Sequence, residues 1–545
     1  MKKILYSICT VSAGALLLLS SCTKKIDEAY TNPNATVRVP IETLLPGIIG
    51  NFVGNSSAAG SGYGVANDGL YIGRYIQNWA TNSTGNQFDQ MGGATTTSDL
   101  LGSVWAMHYF GMGGNLNKMI EWGTEEKKWD YVGVGYAIRA WSWLTLTNVY
   151  GEAILREAFR PEQLVFNYDP QPDIYAEVRR IARLAIENLE KTGDGVSQAN
   201  LALGDAYFYN GDVNKWKKFV YAVMARSFNH LTNKTIYQPD SVLFYCNLAI
   251  NSNVDNAAAK FLASGLSGTY NFYSPFRQNA VGALRQTKFV ADLMTGINPM
   301  FLTVVDPRTP YIIRENTNGT YKGIVPNKGS SSLATADQPF GFWGQPFIST
   351  TAPPTDNNCR YIFRNAAPFP ISTAAEVQFM KAEALLRQGA NPVLVRQAYI
   401  DGISLSFDML TGTPDYHNSV PPAMQITPAM KAAYLANPIV TPALITRSHI
   451  MLQKYIAMYG WGVVETWTDM RRYHYTDLDP VTGQQVYNGF TPPTGIDLFT
   501  TNNGKLVYRA RPRFNSEFLY NIAALDLLGA RALDYNTKEQ WFSQP

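Results

Sequence analysis

The stretch Trp129–Gly151, WDYVGVGYAIRAWSWLTLTNVYG, is the strongest indication of how this chain folds. Residues 129–150 are strongly apolar and long enough for about six turns of helix. Gly151 follows directly, and glycine is a common residue at the position after the end of a helix. The stretch therefore predicts a long apolar helix, and helical patterns continue on both sides of it.

Between about residues 98 and 250 the apolar residues recur at helical spacing. Ser98 and Asp99 are a plausible N-terminal cap for a helix that carries Val104, Trp105, Tyr109, Leu116 and Ile120. Its glycines at 111, 113 and 114 are poor helix formers and are expected to kink or loosen it. Further apolar faces lie at 174–189, before Gly193, and at 213–231. Short polar turns between these segments favour antiparallel helix pairs, which bury their apolar faces by stacking as tetratricopeptide repeats do. The full tetratricopeptide consensus is not found.

Helical patterns return after residue 371. They predict a helix over 372–388, another from Pro392 to about Phe407, and a long helix or a broken pair over 443–473. Shorter helices are expected near 41–53, near 68–80 and from about Ser516. The predicted fold class is all-α, with a scaffold of helix pairs at about 98–250 and 372–475 inside one domain, 41–545.

Two stretches interrupt this scaffold, at about 54–97 and 252–370. Both are rich in glycine, asparagine and serine, and the second is also rich in proline and poor in helical periodicity. Long irregular segments inside a compact domain are usually functional, and binding loops on a rigid scaffold are a common way to build a site. We therefore expect these stretches to form a large loop-rich ligand-binding region.

The N-terminus has the features of a bacterial lipoprotein signal. Lys2 and Lys3 precede an apolar run that ends in Leu19-Ser20-Ser21-Cys22. The run is too short to favour a transmembrane helix. Residues 1–21 are predicted to be removed and Cys22 to be acylated, with 22–40 as a tether. Two or more acyl chains give stable membrane anchoring.

The composition limits the function classes. The formal net charge of +3, which includes Lys2 and Lys3, gives no electrostatic footprint for nucleic acid. Apart from Cys9 and Cys22, the chain has two cysteines, Cys246 and Cys359, and spacing alone does not show whether they pair. Aromatic residues make up 13% of the chain. Tyrosine and tryptophan combine a flat apolar face with a polar edge, which suits sugar or peptide binding as well as core packing.

Five blocks of sequence, in order, carry a resemblance to a known family. They are Cys22 with Asn32-Pro33-Asn34-Ala35; Trp105, Tyr109 and Asn115 with Ile138-Arg139-Ala140-Trp141 and Asn148-Val149-Tyr150-Gly151-Glu152; Gly204-Asp205-Ala206-Tyr207 with Gly211–Phe219 and Ala225-Arg226; Lys381–Gly389; and Gln453-Lys454-Tyr455 with Trp467–Arg472, Arg511–Phe514, Glu517 and Asn521. Together they resemble the SusD/RagB-like nutrient-binding lipoproteins of the outer membrane.

The resemblance implies a specific fold and role. It implies four tetratricopeptide-like helix pairs and a lipid-anchored position at the outer membrane, facing the cell exterior. The implied partner is a SusC-like TonB-dependent transporter, to which an oligosaccharide, or in some members of the family a peptide, is delivered. It implies no catalysis and no cofactor.

Motifs for enzymatic chemistry are not found in the sequence. There is no zinc-protease His-Glu-x-x-His, no phosphate-binding Gly-x-x-x-x-Gly-Lys-Ser/Thr and no Gly-x-Ser-x-Gly elbow. The histidines show no metal-ligand spacing, and no EF-hand loop is present. A glycosidase carboxylate pair has no local motif, so a surface-anchored glycoside hydrolase stays an alternative. A helical-repeat structural adaptor is a second alternative.

The candidate ligand residues come from the two loop-rich stretches. Sugar recognition needs exposed aromatic faces and side chains that hydrogen-bond to hydroxyls. The residues of this kind are Tyr71, Tyr75, Asn78, Trp79, Asn82, Tyr273, Arg277, Phe340, Trp343 and Gln345. The competing interpretation is that these aromatic residues form satellite core under long loops.

Overall fold

A computed structural model describes residues 38–54, 63–85, 89–91, 100–160, 162–344 and 355–545. The predicted signal peptide, Cys22 and most of the predicted tether lie outside the described residues. Ile41–Pro545 forms one compact unit.

Helices dominate the described residues. The α-helices are α1 Leu45–Gly50, α2 Val65–Tyr75, α3 Ser103–Ala106, α4 Gly113–Glu125, α5 Trp129–Tyr150, α6 Gln171–Leu189, α7 Gln198–Asp205, α8 Val213–Asn229, α9 Pro239–Leu248, α10 Lys288–Met294, α11 Thr309–Ile312, α12 Ala374–Arg387, α13 Pro392–Gly412, α14 Pro414–His417, α15 Pro428–Ala436, α16 Arg447–Ala457, α17 Val463–Arg472 and α18 Ile522–Leu528. The prediction of a mainly helical fold is confirmed.

Four short strands form two separate antiparallel pairs. Strand β1 (Trp79–Thr81) pairs with β3 (Leu284–Gln286), so that Trp79 lies opposite Gln286. Strand β2 (Ala257–Ala259) pairs with β4 (Phe369–Ser372), with Ala258 opposite Pro370. Each pair joins segments that are far apart in sequence.

The long central helix is where the sequence predicts it. Almost every residue of α5 is buried, and the helix ends at Gly151, whose φ of 86° favours glycine. The predicted irregularity at the preceding glycines is also present. Residues Met107–Met112 form a π-helical turn between α3 and α4, the kind of local widening that interrupts α-helices in single turns.

The long helices pack in chain order. Helix α4 contacts α5, α5 contacts α6, α6 contacts α8, and α8 contacts α9. The chain then leaves this helix stack for residues 249–373 and returns as α12, which packs directly against α9 and α13. The region 252–370 is therefore an insertion into a continuous stack.

Some details differ from the prediction. The expected helix over 68–80 ends at Tyr75, and Trp79 begins strand β1. Residues 252–370 contain α10, α11 and several 3-10 turns, so the insertion is less irregular than expected. The 443–473 segment is a broken pair, α16 and α17, with Gly460 at a φ of 80° in the break. Helix α15 was not predicted.

A group of buried charged residues, here called the charge network, joins four helices. It consists of Arg226 and His230 at the end of α8, Glu376 and Glu383 on α12, Lys454 on α16, and Glu465, Asp469 and Arg472 on α17. Arg226 holds Glu376 through two hydrogen bonds of 2.6 Å. Arg472 donates to Glu383 at 2.8 and 3.0 Å and to Asp469 at 2.5 Å.

The charges of the network compensate one another. Burial alone would raise the pKa of Glu383, but Arg472 and Arg387 outweigh burial and hold it well below its ordinary value. Burial likewise opposes ionisation of Glu465, and His230 and Arg226 reverse that effect. Removal of one partner would leave its counterpart charged inside the protein, which is far costlier than replacement of both.

The first prediction concerns Glu376→Gln. The variant removes the carboxylate that Arg226 holds at 2.6 Å and leaves Glu465, at 3.9 Å, as a more distant counter-charge, so the free energy of unfolding should fall by about 3 kcal/mol. Glu177→Gln is the matched control, because Glu177 pairs with Arg180 on the surface of α6 and such pairs contribute at most ~1 kcal/mol. Urea unfolding followed by circular dichroism measures both. Equal losses in the two variants would contradict this role of the network.

Candidate ligand-binding site

The two stretches that hold the predicted ligand residues meet in the structure. Strands β1 and β3 join them, and the Asn82 N–H extends the pairing by donating to the Ala283 carbonyl at 2.9 Å. Within this region, the Trp343 indole N–H donates to the Tyr273 carbonyl at 2.8 Å. The sequence-predicted residues from both stretches therefore belong to one part of the molecule.

Trp79 lies at the centre of an aromatic group, the Trp79 cluster. Its ring packs edge-to-face against Tyr273, Phe342, Phe363 and Tyr459 at centroid distances of 5.7 to 6.4 Å. The indole N–H donates to the Leu70 carbonyl at 2.9 Å. A Cβ on Gly73 would come within 2.5 Å of the indole, so the Trp79 ring is also closely packed on the side of Gly73. Trp79 is 0% exposed.

Tyr75, Asn78 and Tyr273 are also interior residues. The Tyr75 hydroxyl accepts a hydrogen bond from the Val507 N–H at 3.1 Å. The Asn78 side-chain carbonyl accepts from the Gly460 N–H at 3.0 Å, which ties the loop after α2 to the break between α16 and α17. The Tyr273 hydroxyl donates to the Ala66 carbonyl at 3.2 Å. All three side chains connect segments of the core.

Arg277 and Trp343 are only 6% exposed. The Arg277 guanidinium lies 5.3 Å from the centre of the Phe272 ring and donates to the Ser267 carbonyl at 3.0 Å. Burial lowers the pKa of Arg277 from its ordinary value. A Cβ on Gly282 would come within 2.8 Å of the Trp343 ring, so the indole is closely packed on that side.

Three predicted residues keep partly exposed side chains: Tyr71, Asn82 and Phe340. The Tyr71 hydroxyl donates to the Gln90 side chain at 3.4 Å, and the Arg74 guanidinium lies 5.1 Å from its ring centre. The Asn82 backbone carbonyl accepts a hydrogen bond from the Ser330 N–H at 2.9 Å. Gln345 lies outside the described residues.

The expectation of exposed aromatic faces at Tyr75, Trp79, Tyr273 and Trp343 is therefore wrong. Packing partners or backbone hydrogen bonds already occupy these side chains, and a sugar ring needs an open face. Burial also removes Asn78 and Arg277 from the accessible surface. These six residues support the region in which Tyr71, Asn82 and Phe340 are accessible.

A polar cleft of about 780 Å³ lies elsewhere, and none of the nine predicted residues that the structure describes lines it. It contains residues from the α7–α8 turn, strands β2 and β4, and the α13–α14 junction. These segments are distant in sequence, so no local motif marks the cleft. Polar and aromatic residues in turns, such as Tyr207 and Asn210, were the signals in the sequence that could have indicated it.

The two cysteines and the buried histidines have structural surroundings. Cys246 and Cys359 are both free and buried, and burial raises the pKa of each thiol to about 12. His108 hydrogen-bonds to the Ser142 hydroxyl, and His449 bonds Thr446 in the cap of α16. In the part of the chain that the structure describes, no group of three or more His, Cys, Asp or Glu residues is placed to hold a metal ion.

The sequence model of the SusD-like family, described as "Starch-binding associating with outer membrane", matches residues 35–494. The chain belongs to the SusD-like family. No curated protein matches the chain. None of the helices in the described residues has the length and apolarity needed to cross a membrane.

Solved structures of SusD-like proteins have the same helical fold. A SusD homolog from Bacteroides fragilis matches with a TM-score of 0.69 and 18% identity over 93% of this chain and all of that one. A SusD/RagB family protein from Bacteroides thetaiotaomicron matches with a TM-score of 0.64 and 18% identity, over 93% and 99% of the two chains. A chitin-binding SusD homolog from Flavobacterium johnsoniae matches with a TM-score of 0.57 and 15% identity, over 92% and 98%.

The second prediction tests the burial of Trp79. Trp79→Ala should lower the free energy of unfolding by about 3–5 kcal/mol, because it opens a cavity inside the Trp79 cluster. Phe110→Ala is the control, since Phe110 is 74% exposed and exposed positions usually change stability by less than about 0.5 kcal/mol. Chemical unfolding measures both. A Trp79→Ala protein as stable as the control would show that the ring is not packed as described.

Proposed function

We propose that this SusD-like protein captures an oligosaccharide or a peptide at the cell surface and delivers it to a SusC-like TonB-dependent transporter. The observation that carries the proposal is the family match over residues 35–494, a family described as starch-binding. A chitin-binding relative with the same fold gives further support for a glycan ligand. The role is binding and release without catalysis.

We place the ligand where the two loop-rich stretches meet. Asn82 and Phe340 supply the combination that sugar binding needs, an amide that both donates and accepts and a partly exposed ring. Tyr71 adds a second partly exposed ring. The buried Trp79 cluster joins the two stretches and holds them rigid, and rigid placement of contact groups reduces the entropic cost of binding.

The proposed delivery step depends on the lipid anchor at Cys22. A multiply acylated cysteine would keep the protein on the outer-membrane surface beside its transporter. Anchoring to the same membrane raises the effective concentration of each partner for the other, so weak contacts are enough for transfer.

The third prediction tests the ligand class. Isothermal titration of the purified protein with maltohexaose, chitohexaose and a hexapeptide should show binding to at least one of the two sugars. No new reducing ends should form over hours. Steady release of reducing ends would favour a glycoside hydrolase, and a lack of binding to all three ligands would favour a structural adaptor.

Variants locate the site in the same titrations. Asn82→Ala and Phe340→Ala should each weaken sugar binding about tenfold with little change in stability, because both side chains are partly exposed. Leu164→Ala is the control, since Leu164 is 81% exposed and lies outside this region. Unchanged affinity in both site variants would refute the placement of the ligand.

The fourth prediction concerns the anchor. Cys22→Ser should remove acylation and move the protein from the membrane fraction to the soluble fraction of the producing cells. Mass spectrometry of the N-terminal peptide and immunoblots of the fractions check this. Cys246→Ser is the control, because Cys246 is a buried free thiol. A membrane-bound Cys22→Ser protein would contradict the proposed anchoring.

A further inference from the structure

The 780 Å³ cleft has a defined architecture, and we name it the sheet cleft. Its floor is one face of the β2–β4 pair. Alternate residues of each strand line it: Asn256, Ala258 and Lys260 from β2 and its ends, and Ala366, Pro368 and Pro370 from β4 and the residues before it. The intervening Ala257, Phe369 and Ile371 are buried on the opposite side. This alternation is the period-two pattern of a sheet with one face open.

The floor is flat because its central side chains are small. Ala258 lies opposite Pro370 across the strand pair, and Ala366 and Pro368 continue the same face. These small apolar side chains leave room above the sheet, and they add no hydrogen-bonding side-chain groups to the floor of the cleft. A volume of about 780 Å³ falls within the range of ~300–1,000 Å³ typical of small-molecule sites.

The walls of the sheet cleft carry polar side chains. Two of them have partners within the protein: Asp212 accepts from the Asn214 and Lys215 N–H groups, and Asp415 lies 3.8 Å from Arg364. One wall is the α7–α8 turn with Tyr207, Asn210, Asp212 and Lys215, and the other is the α13–α14 junction with Asp415. In the described part of the chain, Tyr207, Asn210 and Lys215 form no side-chain hydrogen bond or ion pair. Tyr207 is 42% exposed.

The charges around the sheet cleft balance. Two lysines, Lys215 and Lys260, stand with two carboxylates, Asp212 and Asp415. Amide side chains from Gln198 and Asn210 add groups that both donate and accept hydrogen bonds. The Asn253 and Asn256 amides also line the cleft, but they bond to each other, to the Leu405 carbonyl and to the Ala374 N–H. A ligand that fits this lining carries no net charge and has many hydroxyl or amide groups.

A second, apolar pocket of about 230 Å³ adjoins the sheet cleft. Tyr207, Lys260, Phe261 and Leu262 line both spaces, and Ile49 and Val53 contribute the apolar side of the smaller one. The groove that the two spaces form together is therefore amphipathic, and the aromatic side chain of Tyr207 lines both of them. Pyranose rings have the same character, with apolar faces and polar edges.

We infer that the sheet cleft is a second binding site for a neutral oligosaccharide, separate from the site near Asn82 and Phe340. The inference rests on the proposed function, since it extends glycan binding to another surface of the protein. A peptide fits less well, because the sheet presents its face to the cleft and not a free edge. The Lys260 N–H at the end of β2 is already bonded to the Tyr207 carbonyl at 2.9 Å.

Hydrogen–deuterium exchange of the whole protein, with and without saturating maltohexaose or chitohexaose, tests this inference. A sugar should slow exchange in residues 206–215 and 253–262, in addition to the region of Asn82 and Phe340. Tyr207→Ala removes the exposed ring, and Ala258→Phe fills the floor. Either variant should abolish protection in the sheet cleft and weaken binding there about tenfold or more, while protection near Asn82 is kept.

Leu203→Ala serves as the control for these variants, and two different results would contradict the inference. Leu203→Ala, at a 69% exposed position of α7 outside the groove, should leave both protected regions unchanged. Protection confined to the region of Asn82 and Phe340, and unaffected by Tyr207→Ala, would overturn the second site and leave the proposed function intact. If neither sugar slows exchange anywhere, both the proposed binding of a glycan and the second site fail.

Discussion

The charge network is the interaction on which the rest of the structure depends. Arg226, Glu376, Glu383 and Arg472 are at most 2% exposed, so each ion pair exists only while α8, α12 and α17 keep their positions. Buried ion pairs contribute little net stability compared with apolar packing, but a broken one is costly. The network therefore acts mainly against wrong helix arrangements: an alternative packing of α12 against α8 would leave several charges without partners.

This constraint explains how a long insertion is tolerated. The chain leaves the helix stack after α9 and returns as α12, and Glu376 on α12 meets Arg226 as soon as it returns. Arg226 also donates to the Ile371 carbonyl on β4, at 2.8 Å, which connects the network to the sheet cleft. The insertion is thus held at its end by buried charges and in its interior by the Trp79 cluster. Asn82, Phe340 and Tyr207 lie outside both groups and keep side chains that are at least partly exposed.

The helices could be predicted from the sequence because their signals are local. The apolar run of α5 and its end at Gly151 need no knowledge of the rest of the chain, and the same is true of the Lys381–Gly389 block. The position of Trp79 could not be predicted in this way. Its neighbours Tyr273, Phe342, Phe363 and Tyr459 come from distant segments, and a loop rich in glycine and asparagine suggests exposure. Strands β2 and β4 were missed for a similar reason, because three or four residues such as Ala257–Ala259 carry no recognisable strand pattern.

Hydrogen exchange at pH 7 and pH 3 tests the role of the charge network most directly. The pKa values of Glu383 and Glu465 lie below their ordinary value in the folded protein. Their contribution to stability is therefore complete above about pH 4.5 and decreases as the pH falls toward the folded-state values. After correction for intrinsic rates, α8, α12, α16 and α17 should lose protection together at pH 3. The α5–α6 interface, which is largely apolar, should keep more of its protection. Independent losses among the four helices, or a larger loss at α5–α6, would contradict the account.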